Sequence, residues 1–133
     1  MKSTKYDVIF EPFTERHFVK TFAKKYMSAW DFTRKTITEE FEKIDFLFQK
    51  SIAEYITDKN ADIVICKTEF KISGTQESRH GSGNRCIVAI HKTENKVCVL
   101  LVYHKNNLKG SNETAEWKNI ISENYPEYKE YCK

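Results

Sequence analysis

The chain has 133 residues, of which 40% are hydrophobic and 31% charged, and this suits one folded domain spanning residues 1–133 rather than two domains or a disordered chain. The net charge of +3 argues against a protein that coats nucleic acid along its length, but a local basic surface remains compatible with it. Only four glycines and two prolines occur, which leaves little room for long linkers or a glycine-rich nucleotide-binding loop.

The cysteines predict neither a zinc knuckle nor a thioredoxin-type site, because no pair has C-x-x-C spacing. Three of the four lie in apolar, strand-like runs, where a free thiol behaves as a small hydrophobic side chain. We therefore expect reduced thiols and a cytoplasmic protein. We expect neither a signal peptide nor a membrane contact, since the N-terminus lacks an apolar core and no stretch approaches the ~18 apolar residues of a membrane span. The cysteines are Cys66, Cys86, Cys98 and Cys132.

The first half of the chain predicts one strand and two helices. Residues 6–10 form a short apolar run typical of a strand, and residues 15–26 carry an apolar stripe at helical spacing. Residues 28–34 are interpreted as a connection. A second, longer helix is predicted over residues 36–55, because residues 36–39 match a capping box and an apolar face follows.

The second half predicts three strands and a last helix. The strands correspond to the apolar runs 63–72, 85–91 and 97–105, and the polar residues 93–96 predict a hairpin between the last two. Asn112 is a suitable cap for the final helix, with acidic residues in its first turn. Pro126 is expected to interrupt this helix and to leave a charged tail behind it.

The predicted element order is β-α-α-β-β-β-α, which gives an α+β fold. It consists of a small antiparallel sheet, two N-terminal helices on one of its faces, and a C-terminal helix. The opposite face of the sheet is expected to be at least partly open. We expect the functional residues to lie on that face.

Basic residues are the main candidates for function. In the first of the three runs, Lys67, Glu69 and Lys71 alternate with a buried-type set, so they point to the polar face. Lys67 and Lys71 would stand roughly 13 Å apart at strand rise, which suits successive phosphates of a nucleic-acid strand. The alternative is a solvated sheet face.

Arg85 opens the next strand after a Gly-Ser-Gly-Asn loop. Its guanidinium fork suits bidentate contact with a phosphate. The alternative is an ion pair with Glu69 or Glu77. Both interpretations stay open at the level of the sequence.

His104 lies at the end of the last strand, between Tyr103 and Lys105, and is a candidate general acid or base. The alternative is a structural or simply exposed histidine. Acidic residues show no paired spacing on the strands, so we expect no metal ion and no other cofactor. A nuclease built from Lys, Arg and His would act on RNA, because RNA carries its own nucleophile in the 2′-hydroxyl.

The chain resembles the RelE/ParE superfamily of bacterial toxins from type II toxin–antitoxin systems. The resemblance is carried by residues 16–26, similar to the family's opening helix, by residues 84–90, similar to its Arg-opened strand, and by residues 97–105, similar to its last strand. It implies a metal-independent endoribonuclease that cleaves mRNA, commonly on the ribosome. Together with the residue patterns it predicts the catalytic residues Arg85, His104, Lys67 and Lys71 and the substrate-binding residues Arg79, His80, Tyr103 and Lys105.

The resemblance also implies a partner and leaves alternatives open. A toxin of this type needs a cognate antitoxin protein, whose disordered or helical segment would wrap the domain. One alternative is a non-catalytic protein of the same fold, either a gyrase-directed ParE-like toxin or an inactive relic. Another is an unrelated α+β interaction domain, whose basic face is only a solvated surface.

Overall fold

A mixed five-stranded sheet forms the centre of the protein, described by a computed structural model over residues 5–108 and 112–132. The strand order is β1-β5-β4-β3-β2. Strand β1 runs parallel to β5, and the remaining neighbours are antiparallel. The α+β class is confirmed. The strands are β1 (Asp7–Phe10), β2 (Ala53–Tyr55), β3 (Ile63–Phe70), β4 (Asn84–His91) and β5 (Lys96–His104).

The prediction of a purely antiparallel sheet was wrong at β1. The chain leaves this edge strand through a helical layer, which is the kind of crossover that parallel pairing requires. As a result Asp7 lies opposite Lys96 and Phe10 lies opposite Val99, in parallel register. The predicted hairpin between β4 and β5 is confirmed, because these strands pair antiparallel from Asn84–His104 to His91–Lys96.

The N-terminal half is more helical than predicted. Residues 28–34, interpreted as a connection, belong to helix α3, because Trp30, Thr33, Ile37 and Phe41 recur at helical spacing and are all buried. The left-handed backbone of Met27 (φ 51°) separates α3 from the preceding helix. The elements of this layer are α1 (Pro12–Thr14), a π-helical turn (Glu15–Val19), α2 (Lys20–Tyr26), α3 (Ser28–Glu42) and α4 (Ile44–Gln49).

The predicted second helix over residues 36–55 was wrong at both ends. Helix α3 starts eight residues earlier, so Thr36 lies inside it and caps nothing. The helical run breaks at Lys43 and stops after Gln49. Ala53–Tyr55 instead pairs with β3 as the edge strand β2. Hydrogen bonding to an available sheet edge overrides the helical spacing of the apolar residues there.

The helical layer and one face of the sheet enclose the first core. Trp30, Ile37 and Phe41 of α3 pack there against Cys66, Val88 and other sheet residues of even number in β3 and β4. The aromatic rings of Phe22, Trp30 and Phe70 lie within about 5–6 Å of each other. This face of the sheet is therefore covered by the layer that the sequence predicted for it.

The opposite face is also covered, so the prediction that it is at least partly open was wrong over most of its area. After the one-turn helix α5 (Arg79–Ser82), helix α6 (Glu113–Asn124) and a 3-10 helix (Pro126–Cys132) follow in the chain. Their residues Trp117, Ile121 and Tyr128 pack over Ile87 and Leu101. Asn112 caps α6 as predicted, because its side chain accepts the Ala115 N–H at 3.1 Å.

The C-terminal segment is packed rather than a solvated tail. The hydroxyl of Tyr125 donates to the Leu100 carbonyl at 2.8 Å, and the hydroxyl of Tyr128 lies 2.6 Å from His91 Nε2. All four cysteines are buried and free, in agreement with the expectation of reduced thiols. Among the described residues, no helix combines the length and the apolar character needed to cross a membrane.

Candidate functional site

A row of polar side chains crosses the sheet beyond the edge of the second core. Glu69 on β3, Arg85 on β4 and Tyr103 on β5 are direct neighbours in the strand register. Lys67 lies two residues before Glu69 on the same face and is opposite Glu54 of β2. The alternation predicted for residues 64–72 is confirmed as far as Phe70, since Val64, Cys66 and Phe70 lie in the first core while Lys67 and Glu69 point to the other side. It was wrong at Lys71, which follows the end of β3 and lies on the helical side of the sheet.

Arg85 is the most buried charged residue of this row, with 4% of its surface exposed. Its Nη1 lies 3.2 Å from Glu69 Oε2, and its Nε lies 3.8 Å from Glu113 Oε2. The predicted alternative of an ion pair with Glu69 is therefore confirmed. The two carboxylates offset a guanidinium charge that would be costly to bury alone.

Glu113 lies in the first turn of α6, and one of its carboxylate oxygens contacts three partners. Its Oε2 accepts the hydroxyl of Tyr103 at 2.6 Å and lies 3.5 Å from Lys67 Nζ, in addition to its contact with Arg85. Burial works against ionisation of this carboxyl, but the hydrogen bond from Tyr103 and the charges of Lys67 and Arg85 give a net lowering of the Glu113 pKa. Burial, together with the neighbouring Glu113, raises the pKa of the Tyr103 hydroxyl, which stays protonated as a donor.

His80 joins the row from the one-turn helix α5 (Arg79–Ser82). Its Nδ1 lies 2.7 Å from Glu69 Oε2, while 84% of the side chain is exposed. A carboxylate at this distance accepts the Nδ1–H, so the neutral ring presents Nε2 as a base toward solvent. Ser78 fixes the start of α5, because its hydroxyl accepts the Gly81 N–H at 2.9 Å.

These side chains surround a cavity of about 210 Å³, which we call the charged pocket. It combines two fixed cations, one imidazole and two carboxylates in a small open space. Such a set can hold an anionic group, and it can accept or donate a proton beside that group. The charged pocket is lined by Glu54, Lys67, Glu69, His80 and Arg85, together with Ser51 and Ile52.

His104 lies on the opposite face of the sheet from Arg85. It pairs with Asn84 across β4 and β5, one position away from the Arg85–Tyr103 pair. Because side chains alternate between the faces of a strand, the His104 side chain points toward α2. It lines a second cavity of about 420 Å³, which we call the polar cavity. The structure thus separates His104 from the arginine with which it was predicted to act. The polar cavity is lined by Thr21, Phe22, Lys25, Tyr26, Ile72, Thr75, Glu77, Ser82, Asn84, His104, Asn106 and Asn107.

The remaining predicted residues lie outside both cavities or at their margins. Arg79 turns to α3 and forms a two-pronged ion pair with Glu40. The hydrogen bonds that Arg79 donates to Glu40 raise the pKa of Arg79, although burial opposes the shift. Lys71 follows the end of β3 and is exposed beside Arg79 on the helical side, and Lys105 is exposed in the 3-10 turn after β5. Of the predicted site residues, only Lys67, His80 and Arg85 line the charged pocket.

Sequence reasoning missed three carboxylates of this region. Glu54 was assigned to a helix, Glu69 was considered only as a partner for Arg85, and Glu113 was considered only for its effect on the helix dipole. The position of Glu69 between Lys67 and Lys71 was the pattern from which its place in the site could have been predicted. Placing Glu113 beside Arg85 requires knowledge of how α6 crosses the sheet.

Comparison of the chain with protein-family models, with curated proteins and with solved structures gave no significant match. Within residues 5–108 and 112–132, no group of three or more His, Cys, Asp or Glu side chains is placed to hold a metal ion.

Proposed function

We propose that this protein is a metal-independent endoribonuclease whose active site is the charged pocket. The observation that carries the proposal is the convergence of Lys67, Glu69, His80 and Arg85 on one cavity, with His80 Nδ1 2.7 Å from the Glu69 carboxylate. A histidine oriented by a carboxylate is a suitable general base. Two cations beside it suit the phosphate whose charge increases in the transition state.

In the proposed reaction the 2′-hydroxyl of RNA attacks the adjacent phosphorus. His80 Nε2 takes the proton of this hydroxyl, and Glu69 stabilises the resulting imidazolium. A bond forms between the 2′-oxygen and phosphorus while the bond from phosphorus to the 5′-oxygen breaks. The leaving 5′-oxygen takes a proton, for which the ammonium of Lys67 is available. The products carry a 2′,3′-cyclic phosphate and a 5′-hydroxyl.

Binding of a phosphate would change the partners of Lys67 and Arg85. In the free protein both cations face Glu113, at 3.5 Å and 3.8 Å, which are long contacts for ion pairs. A phosphate with closer contacts competes with this single carboxylate. Glu69 would keep its contact with Arg85 Nη1, so the guanidinium stays in place during the exchange.

The residue patterns support placing this enzyme with the RelE/ParE toxins. Under this proposal the strand-opening Arg85 contacts the scissile phosphate, Lys67 assists it, and His80 takes the role of general base. The substrate would be mRNA, on the ribosome or free in the cytoplasm, and the partner would be an antitoxin protein that covers the charged pocket. Under the same proposal, the order of strands and helices in this chain is a variant of the RelE-like topology.

Inducible expression in bacteria tests the proposal in cells. We expect growth arrest, with new transcript 5′ ends inside coding regions within minutes of induction. His80→Ala is expected to abolish both effects. His17→Ala is the matched control, since His17 is an exposed histidine of the π-helical turn whose ring contacts Phe13. Unchanged cleavage by a folded His80→Ala protein would contradict the assignment.

A second candidate is a non-catalytic binding protein of the same fold. The observation that favours it is the compensation of Arg85 by Glu69 and Glu113, which leaves the pocket without excess positive charge. Under this hypothesis expression would arrest growth through a protein target such as gyrase and leave transcripts intact. The same mapping of transcript ends separates the two candidates.

A further inference from the structure

A third cavity, of about 420 Å³, lies beside α4, and we call it the α4 groove. Its lining comes mainly from α4, from the end of α3 and from the segment that leads into β2. The volume is within the range of small-molecule sites, so the groove can hold one unit of a larger ligand. The lining residues include Lys43, Phe46, Leu47, Lys50 and Ile52.

The α4 groove adjoins the charged pocket along two segments of the chain. Lys50 lines the groove, Ser51 lines the charged pocket, and Ile52 lines both. Likewise, Arg79 lines the groove and the next residue, His80, lines the charged pocket. Consecutive Cα atoms are only about 3.8 Å apart, so the two cavities share a border. A chain-like ligand with one unit in the charged pocket can therefore continue into the groove.

Phe46 presents an exposed aromatic ring at the groove. Half of its surface (50%) is accessible, whereas its neighbour Leu47 is buried in the first core. Such a ring is a suitable stacking surface for the base of a single-stranded nucleic acid. Every base has a π-face, so stacking on Phe46 would hold a strand without selecting its sequence.

Two lysines flank this ring. The Lys50 N–H donates to the Phe46 carbonyl at 3.1 Å, and the Phe46 N–H donates to the Lys43 carbonyl at 3.0 Å. The backbone of α4 therefore holds both lysines next to Phe46. Both side chains are exposed, and neither forms an ion pair within the described residues. Each ammonium is available to a phosphate on either side of a stacked base.

The acidic residues of the groove do not cancel this charge. Glu40 is engaged by Arg79, which it offsets. Glu39 is exposed and is the one carboxylate of the described lining without an ion pair, against the two lysines. The groove therefore carries excess positive charge, in contrast to the compensated charged pocket.

The distribution of apolar surface favours RNA over a protein segment as the occupant. An amphipathic helix binds a groove through several apolar anchors spaced along its length. Among the described residues that line the α4 groove, Phe46 is the only large hydrophobic side chain that is largely exposed. One ring between two cations matches one base between two phosphates.

We infer that the α4 groove binds the part of a single-stranded RNA next to the scissile phosphate, with a base stacked on Phe46 and phosphates at Lys43 and Lys50. The inference rests on the proposed function, because the strand is taken to pass from the groove into the charged pocket. The binding is independent of sequence.

Fluorescence anisotropy with a labelled 2′-O-methyl oligonucleotide of about ten nucleotides and mixed sequence tests this inference. Cleavage does not interfere, because the 2′-oxygen is blocked. We expect saturable binding that weakens about tenfold in Phe46→Ala and is retained in Phe46→Trp. Phe32→Ala is the matched control, since Phe32 is a 66% exposed ring of α3 outside the groove, and unchanged affinity is expected there.

Salt dependence tests the two lysines. Lys50→Ala is expected to weaken binding and to reduce the slope of log affinity against log salt concentration by about 0.7, the value for one lost phosphate contact. Lys35→Ala is the control, because Lys35 is exposed on α3 and does not line the groove. Equal slopes for wild type and Lys50→Ala would contradict a phosphate contact at Lys50.

The results also separate this inference from the proposed function. Absence of saturable binding, or unchanged affinity of a folded Phe46→Ala protein, would overturn the RNA groove even if the protein cleaves RNA, and would point to a protein partner for Phe46. Binding that is lost in Phe46→Ala but persists in His80→Ala, in a protein that cleaves no RNA, would support the groove while the nuclease proposal fails.

Discussion

Glu69 and Arg85 lie directly opposite each other on β3 and β4, and their side chains form an ion pair of 3.2 Å across the strands. The same Glu69 oxygen lies 2.7 Å from His80 Nδ1. One carboxylate therefore orients both the buried guanidinium and the exposed imidazole of the charged pocket. This sharing makes Glu69 the structural centre of the proposed active site.

Glu69→Gln is expected to destabilise the fold as well as to impair the site. Loss of the carboxylate leaves the buried charge of Arg85 with Glu113 alone, which we expect to cost about 1–3 kcal/mol in the free energy of unfolding. Urea unfolding followed by circular dichroism measures this change. Glu77→Gln is the matched control, because Glu77 is exposed and forms no ion pair within the described residues, and a change within about 0.5 kcal/mol is expected there. Equal stability of the two variants would show that the Glu69–Arg85 pair contributes nothing.

The lowered pKa of Glu113 predicts a specific dependence of stability on pH. The folded pKa is below the ordinary value of 4.5, so the folded state holds fewer protons than the unfolded state near that value. The contribution of Glu113 is therefore complete above pH 4.5 and is lost as pH falls through the folded pKa. The stability difference between the wild type and Glu113→Gln should be largest at neutral pH and should shrink as the pH falls below 4.5. A difference that stays constant or grows on acidification would contradict the network.

Gly83→Ala is expected to destabilise the protein more than Gly74→Ala. Both glycines have left-handed backbone, with φ of 79° and 89°, so alanine is strained at either position by about 1–2 kcal/mol. Only at Gly83 does the added Cβ also meet a side chain, His104 Nε2 at 2.7 Å, whereas no atom of the described residues lies within 4 Å of a Cβ at Gly74. The loss of stability in Gly83→Ala beyond the loss in Gly74→Ala, measured by thermal or urea unfolding, reports the contact with His104. Equal losses would mean that His104 moves aside freely.

Trp117→Ala tests whether α6 is an integral part of the domain. Trp117 is fully buried in the second core, next to Ile121, and its removal is expected to cost about 3–5 kcal/mol. Asn119→Ala on the exposed side of the same helix is the control, with little expected change. A cost below about 1 kcal/mol for Trp117→Ala would indicate that α6 is only loosely attached.

Local patterns predicted the parts of the fold that depend on neighbouring residues. Alternation along residues 64–72 was sufficient to assign Lys67 and Glu69 to one face, although it misplaced Lys71, and Asn112 was recognised as a helix cap. The spacing of apolar residues failed at 53–55, where pairing with β3 decides the structure of a three-residue segment. It failed also at the C-terminus, where Tyr128 contacts His91, 37 positions earlier in the chain.

The candidate site was predictable as a set of residue types but not as an arrangement. The register between β4 and β5 places Arg85 opposite Tyr103 and so turns His104 to the other face, and strand lengths alone do not fix this register. Likewise, the position of His80 depends on α5, a single turn held by Ser78 and by Ser82, whose hydroxyl donates to the Phe70 carbonyl at 2.5 Å. The register between β4 and β5 and the position of α5 are both set by tertiary structure.

The most direct test of the nuclease proposal is cleavage of a short RNA by the purified protein in the presence of EDTA, with analysis of the product ends. We expect cleavage that produces 2′,3′-cyclic phosphate ends, that stops when the scissile nucleotide carries a 2′-deoxy substitution, and that is lost in Glu69→Gln and His80→Ala. Cleavage that survives in either folded variant, or products that end in a 5′-phosphate, would contradict the assignment of the charged pocket as the active site.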